Sequence, residues 1–245
     1  AAGLENGMFS STDLVRCFSE KISLEDKDFN SIAFINPQAN DIAQKMDEER
    51  RAGHVRSGLH GIPIVIKDNI DTADEMMTSA GSLALDAAQA HRDAHLVSRL
   101  RAGGAVILAK TNLSEWANFR STRSCTGWSS RGGQVRNAYA VDRTPGGSSS
   151  GSAVAVARSF CAGAIGTETD GSIVVPAAMN SLVGIKPTIG MVSRAGVIPI
   201  SFSQDTAGPI AKNVTDASII LSVLMGYDPA DKSSKVISDN FHLRF

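Results

Sequence analysis

Apolar positions recur along this chain with two different periods, and the switches between them predict the elements. Behind Ser10-Ser11-Thr12, the residues Leu14, Val15, Phe18 and Ile22 fall on one helical face with a hydroxyl N-cap in front. A second helix is predicted from about Asn40 to Ala52, closed by Gly53 as a C-cap. Ile62-Pro63-Ile64-Val65-Ile66 is short, β-branched and wholly apolar, which reads as a buried strand with Pro63 at its entry. The segment from His91 to Ala102 is helical in pattern and stops at Gly103-Gly104, and Ala105 to Ala109 follows as another buried strand. Ser152 to Phe160 then reads as helix, Ala162 to Thr167 as strand, and Val214 to Met225 as an apolar helix. Helix, glycine turn, apolar strand is the rhythm of α/β architecture, so the expected fold class is α/β, a mixed and largely buried central sheet flanked by helices. Ser121 to Gly151 is rich in Ser, Gly, Arg and Thr and is expected to be a long loop, of the kind that is usually functional or disordered. The mixed polar stretch 231–245 is expected to fray, which divides the chain into a core over 1–230 and a polar C-terminal tail over 231–245.

Composition narrows the function classes. The chain has 245 residues, 42% of them hydrophobic and 20% charged, an ordinary globular balance. A domain of this length can bury about 70–75% of its unfolded surface. The net charge of −1 speaks against nucleic acid and anionic lipid, both of which need an excess of Lys and Arg. Cys17, Cys125 and Cys161 are odd in number and widely spaced, so neither a zinc knuckle nor a disulfide framework is indicated. A reducing compartment, the cytoplasm, is the expectation. No run of 18 apolar residues occurs, so no membrane span is expected. The start Ala1-Ala2-Gly3, without methionine, is expected to be processed or cut.

Three segments carry candidate chemistry. Lys67 directly follows the first apolar strand, which puts its ammonium at the edge of the core. Burial there would lower its pKa and leave a neutral amine able to act as a base. The ordinary alternative is a lysine that snorkels to solvent. Pro145-Gly146-Gly147-Ser148-Ser149-Ser150-Gly151-Ser152 packs hydroxyls among glycines, and its ordinary alternative is a flexible linker. The apolar run Ala153 to Ala157 follows at once and stitches this loop into the core. In Gly166-Thr167-Glu168-Thr169-Asp170-Gly171-Ser172-Ile173 a strand ends in a tight turn and a serine opens a short helix. Unpaired N–H groups there can hold an oxyanion, and the ordinary alternative is Ser172 as a simple N-cap.

Together these segments resemble the amidase signature family. The resemblance runs from Gly61-Ile62-Pro63 and Lys67-Asp68-Asn69 through Thr78 to Ser82 and Gly104-Ala105-Val106 with Lys110-Thr111-Asn112. It continues over the Gly/Ser run at 146–152 and Gly184-Ile185-Lys186-Pro187-Thr188 to Gln204-Asp205-Thr206-Ala207-Gly208-Pro209. Ser148 and Ser172 stand 24 residues apart, the spacing this family uses. The resemblance implies the amidase signature fold and hydrolysis of linear carboxamides to acid plus ammonia or amine. Ser172 would be the nucleophile that forms an acyl-enzyme. Ser148, beside a cis Gly147–Ser148 peptide, would be the bridging serine, and Lys67 the final base. Backbone N–H groups of Thr169, Asp170, Gly171 and Ser172 would line the oxyanion hole, with Ser149 supporting substrate and network. No metal or organic cofactor is implied, and the implied partner is a small-molecule amide substrate. The oligomeric state stays open, a homodimer among the options.

The chain departs from the family pattern in two details and in length. Asp170 stands where a glycine is usual before Gly171-Ser172, and Ser150 replaces the glycine after the paired serines. Family members usually carry a long stretch beyond the Asp205 motif, so the chain is expected to be C-terminally truncated. A truncated, impaired or partner-dependent homologue, such as one chain of an amidotransferase, is therefore the rival reading. Other rivals are weaker. Gly147-Ser148-Ser149-Ser150-Gly151 matches a nucleophile elbow with Ser149 as nucleophile, but only His242 follows it to complete a triad. His91 and His95 stand at a zinc-ligand spacing without the glutamate or a third ligand. Gly104 to Thr111 lacks the glycine a P-loop needs before Lys110.

Overall fold

A computed structural model of the chain describes residues 2–237. After a short helix α1 (Ala2–Glu5), α2 spans Ser11–Glu25. Its first turn is closed by a capping box, in which the Ser10 hydroxyl and the Asp13 carboxylate accept each other's backbone N–H. Helix α3 runs Ala39–Arg51 and ends at Gly53, whose φ of +83° is the left-handed conformation glycine tolerates. The strands are β1 (Ile32–Ile35), β2 (Pro63–Lys67), β3 (Val106–Thr111), β6 (Gly163–Glu168), β7 (Val183–Gly184) and β8 (Thr206–Ala211). They form one six-stranded sheet in the order β1-β3-β2-β6-β8-β7. The inner pairs β3–β2 and β2–β6 are parallel, and β1, β8 and β7 attach antiparallel. A separate hairpin joins β4 (Trp128–Ser129) to β5 (Gly133–Gln134).

The sheet is mixed and buried on both faces, as the apolar runs predict. Successive side chains of a strand point to opposite faces. Val65, Val106 and Leu108 enter a core with Val15, Ile22, Met46, Val154 and Phe160. Ile64, Ile66 and Ile107 enter the opposite core with Leu96, Leu100, Ile220 and Leu224. Helices α2, α3 and α5 (Ser150–Ala157) cover the first face, and α4 (His95–Ala102) and α7 (Val214–Leu224) cover the second. Each fully buried Ile or Val contributes about 1.5–3 kcal/mol relative to exposure. Helix α5 reads Ser-Gly-Ser-Ala-Val-Ala-Val-Ala and is buried nearly all round, so only small side chains fit. Its start is pressed against two neighbouring backbones. A Cβ at Gly151 would lie 2.3 Å from the Ser31 carbonyl oxygen and 2.4 Å from that of Asn112.

Several boundaries differ from the sequence reading. Helix α4 begins at His95 rather than His91. The preceding residues are tied elsewhere, with Ala94 N–H on the Asp71 carbonyl and the Asp93 carboxylate taken by Ala73 N–H and Arg101. His91 therefore lies off the helix, and the two histidines do not form an i, i+4 pair. Strands β1 and β8 go beyond what periodicity showed. β8 contains Gly208 and Pro209, poor strand formers alone, and exists because β6 and β7 pair with its two edges. The stretch 231–245 does not begin frayed. Residues Lys232–Val236 form a 3₁₀ turn, Ser234 and Ile237 are buried, and Arg194 forks onto the Asp231 carboxylate through Nε and Nη2, both at 2.8 Å. Residues 238–245, including His242, lie outside the described residues.

The close approach at Gly151 yields a direct test. Gly151→Ala is expected to lower stability by at least about 2 kcal/mol, since backbone atoms on two sides cannot retreat. Denaturant unfolding midpoints of the two proteins measure it.

Candidate active site

The parallel strands β2 and β6 end side by side, and ligand sites of α/β sheets gather at such carboxyl ends. β2 delivers Lys67, its last residue. β6 delivers Thr167 and Glu168, and the turn after it carries Thr169, Asp170, Gly171 and Ser172. The Gly/Ser run crosses above both and feeds into α5.

Lys67 is completely buried. Its Nζ lies 2.7 Å from Ser148 Oγ, 2.8 Å from Thr167 Oγ1 and 3.3 Å from the Thr167 carbonyl oxygen. All three neighbours are uncharged. Burial pushes the lysine pKa down to about 7, and the more distant charges of Asp205 and Glu168 only partly offset this. The snorkelling alternative is thereby removed: the amine points inward, at Ser148. Lys110, the next buried lysine, sits one strand over on β3 with its pKa lowered to about 8 by burial. It donates to Thr78 Oγ1 at 2.7 Å and lies among the carboxylates of Asp68, Asp74 and Asp71.

The Gly/Ser run is a rigid connector and no linker. Gly146 adopts φ +69°, and the Gly147–Ser148 peptide is cis, as the resemblance implies. Each flanking hydroxyl satisfies backbone. Ser150 Oγ donates to the Gly146 carbonyl at 2.6 Å, and Ser152 Oγ bonds the Ile165 carbonyl and Thr111 Oγ1. Ser149 Oγ donates to the Thr167 carbonyl and accepts from Thr167 N–H, both at 3.2 Å. Ser149 N–H donates to the Ser172 carbonyl at 3.1 Å. Ser149 thus locks the run to β6 and to the Ser172 turn. Its hydroxyl is fully buried and spends both its donor and an acceptor position on Thr167, which speaks against the nucleophile-elbow reading.

Ser172 does not cap a helix. Helix α6 (Val174–Met179) begins after Ile173, and the capping is done by Glu168. One Glu168 oxygen accepts from Gly171 N–H at 2.9 Å, the other from Ile173 N–H at 2.8 Å and Val174 N–H at 3.0 Å. Gly171 N–H is therefore occupied and drops out of the expected oxyanion set. Among the described residues, the N–H groups of Thr169, Asp170 and Ser172 donate to no protein acceptor. Asp205 steadies the same turn from beside β8. Thr169 Oγ1 donates to its Oδ1 at 2.6 Å, while Ile200 and Ser201 N–H donate to its Oδ2. Thr167, Glu168 and Asp205 are site residues that sequence reasoning missed, the two acids among them holding the turn. The acids' signal was faint, an acid in the Ser172 segment and another in the Asp205 motif, each inside runs already assigned to the turn and the motif.

The structure brings Lys67, Ser148, Ser149, Thr167 and Ser172 together. Lys67 and Ser148 are hydrogen-bonded, whereas Ser172 is tied to the run through Ser149 N–H, with no hydrogen bond between the Ser148 and Ser172 hydroxyls. Among the described residues, no group of three His, Cys, Asp or Glu side chains stands in metal-binding geometry, and no helix is long and apolar enough to cross a membrane.

Comparison with known proteins agrees with this geometry. The family model described as Amidase matches residues 13–244. The peptide amidase from Stenotrophomonas maltophilia superposes with a TM-score of 0.95 at 52% identity, over 98% of this chain and 50% of that one. A putative amidase of Schizosaccharomyces pombe is 45% identical over 99% of this chain and 42% of its own length. A glutamyl-tRNA(Gln) amidotransferase subunit of Mycobacteroides abscessus is 40% identical over 96% of this chain and 46% of its own. The chain thus spans about half the length of the curated relatives it matches. With the family model covering almost every residue and the fold superposing throughout, the chain belongs to the amidase family.

Proposed function

We propose that this chain hydrolyses linear amides through an acyl-enzyme on Ser172, with Ser148 and Lys67 as the proton relay. The observation that carries the reading is the buried, uncharged-neighbour environment of Lys67 and its 2.7 Å contact with Ser148 Oγ. A lysine amine that is half neutral at about pH 7 is matched to a base role at physiological pH. Ser172 Oγ attacks the amide carbon and forms the C–O bond. Its proton passes to Ser148 Oγ, whose own proton passes to Lys67 Nζ. The N–H groups of Thr169, Asp170 and Ser172 take the oxyanion, and each such donor is worth about 2.7–4 kcal/mol in related chemistry. As the C–N bond breaks, the relay runs backward and protonates the leaving nitrogen. Water then cleaves the ester by the same path. The Ser172–Ser148 hydrogen bond forms as substrate seats, as catalytic contacts commonly do. The greater likeness to proteins named amidase and peptide amidase favours plain hydrolysis over the role named in the amidotransferase relatives.

A serine-directed fluorophosphonate tests the reading, with intact mass and peptide mapping as readout. Labelling is expected on Ser172 alone, abolished by Ser172→Ala and nearly abolished by Lys67→Ala. No adduct in the folded chain, or wild-type labelling after Lys67→Ala, sinks the relay and favours a partner-dependent protein.

The charge state of Lys67 sets two pH dependences. Because the base must be neutral, the labelling rate is expected to rise through about pH 7 and level off above it. The linkage to stability has the same direction. The unfolded chain binds the Lys67 proton up to the ordinary lysine range and the folded chain releases it near pH 7, so wild-type stability gains as pH rises between the two. Lys67→Met removes this gain. The stability difference favouring the variant is expected to be largest below pH 7 and to shrink toward pH 10, read from urea unfolding at several pH values.

A further inference from the structure

The neighbours of Lys67 leave a count to be explained. A neutral amine has two N–H groups and one lone pair. The Thr167 carbonyl can only accept, so one N–H goes there. If the lone pair is to receive the Ser148 proton, the other N–H must go to Thr167 Oγ1. Two of the three contacts that aim the amine thus belong to one threonine, and whatever holds the Thr167 hydroxyl also holds the base.

Asn69 holds it. Its Nδ2 donates to Thr167 Oγ1 at 3.0 Å. Asn69 itself is 3% exposed, and its backbone is fixed by Ile198 N–H on its carbonyl. The other half of the carboxamide, Oδ1, is buried and bonds no protein group. A buried polar atom left in that state forfeits the hydrogen bond it would make in water. Asn69 lines a cavity of about 10 Å³, together with Thr167, Thr169, Thr206, Arg194 and Asp205. That volume takes one water molecule. The charged groups on its wall, which also includes Glu168, are already engaged: Glu168 by three N–H groups, Asp205 by Thr169 Oγ1 and two N–H groups, and Arg194 by Asp231. Among the lining side-chain atoms described, Asn69 Oδ1 is the one that is buried without a protein partner.

We infer that Asn69 is a positioning residue for Lys67, acting through the Thr167 hydroxyl and anchoring one water in this cavity with its carboxamide oxygen. The inference rests on Lys67 being the base of the relay proposed above. Asn69 makes no hydrogen bond to Lys67, Ser148 or Ser172 and reaches the relay through Thr167. It fixes which way the lysine lone pair faces.

The test is a pH titration of Lys67 by NMR in the full 245-residue chain, isotope-labelled at lysine Cε, with the signal assigned from Lys67→Met. Wild-type Lys67 is expected to titrate near 7. Asn69→Leu removes an N–H dipole whose positive end faces the amine through Thr167 and returns an Oγ1 lone pair to the ammonium. Both changes favour the charged form, so the titration should rise by about half a pH unit or more. In a Thr167→Val background the same substitution should have less than half that effect. An unmoved titration in Asn69→Leu, or an undiminished shift in the Thr167→Val background, overturns the role. Should the leucine variant fail to fold, the near-isosteric Asn69→Asp must move the titration upward, and no movement again overturns it. A high-resolution crystal structure must place a water within hydrogen-bond distance of Asn69 Oδ1, and a dry cavity refutes the anchoring. The titration needs no turnover, so the two readings fail separately: an unlabelled wild type counts against the relay, an unmoved Lys67 against Asn69.

Discussion

A lysine amine with no accessible surface and no carboxylate in direct contact is the constraint around which this structure is arranged. Such a group is tolerated only if its proton can leave, which is what the lowered pKa expresses. Keeping it dry requires that both faces of β2 be covered and that α5 lie directly over the strand ends. A helix made of Ala, Val, Gly and Ser is what fits there. The same requirement explains why the two nearest acids do not neutralise it. Glu168 spends both oxygens on three backbone N–H groups, and Asp205 spends its own on Thr169 and two more. Their charges reach Lys67 through space and temper the effect of burial without forming an ion pair.

This division of labour ties the proposed base to the proposed nucleophile. Glu168 lies between Thr167, which contacts Lys67, and the turn ending in Ser172, which the Glu168 carboxylate holds shut. Ser149 closes the loop by bonding Thr167 on one side and the Ser172 carbonyl on the other. A shift of β6 would therefore move the amine's partners, the oxyanion donors and the nucleophile together. Catalytic groups carried on one rigid strand end keep their relative geometry better than groups on separate loops.

Much of this was legible in the residues. Alternating and continuous apolar runs located α2, α3, α5, α7, β2, β3 and β6 to within a few residues, because burial of those side chains is a local demand of the chain. The Gly/Ser run and its spacing to Ser172 marked the site. Strands β1 and β8 were not legible in the same way, since their pairing comes from partners far away in sequence, and Pro209 and Gly208 argue locally against a strand. The start of α4 was misplaced because three long-range bonds outweigh the local helical pattern of residues 91–94. The acids were missed because a carboxylate that caps a turn looks, in sequence, like any other surface acid.

What the sequence by itself determined is the list of parts: an α/β core, a lysine after each of two buried strands, a hydroxyl-rich connector, and a serine in a tight turn. Which part does what was decided by the tertiary structure. Lys67 and Lys110 are near equivalents on paper, each ending an apolar run before a polar pair. Parallel pairing of β2 with β6 sets Lys67 against Thr167 and Ser148, while Lys110 on the neighbouring strand meets Thr78 and a group of aspartates. The pKa of an amine depends on everything packed within a few ångströms of it, and that packing joins residues about a hundred positions apart. No local pattern carries such information, so a base and a structural lysine can share one signature until the sheet is assembled.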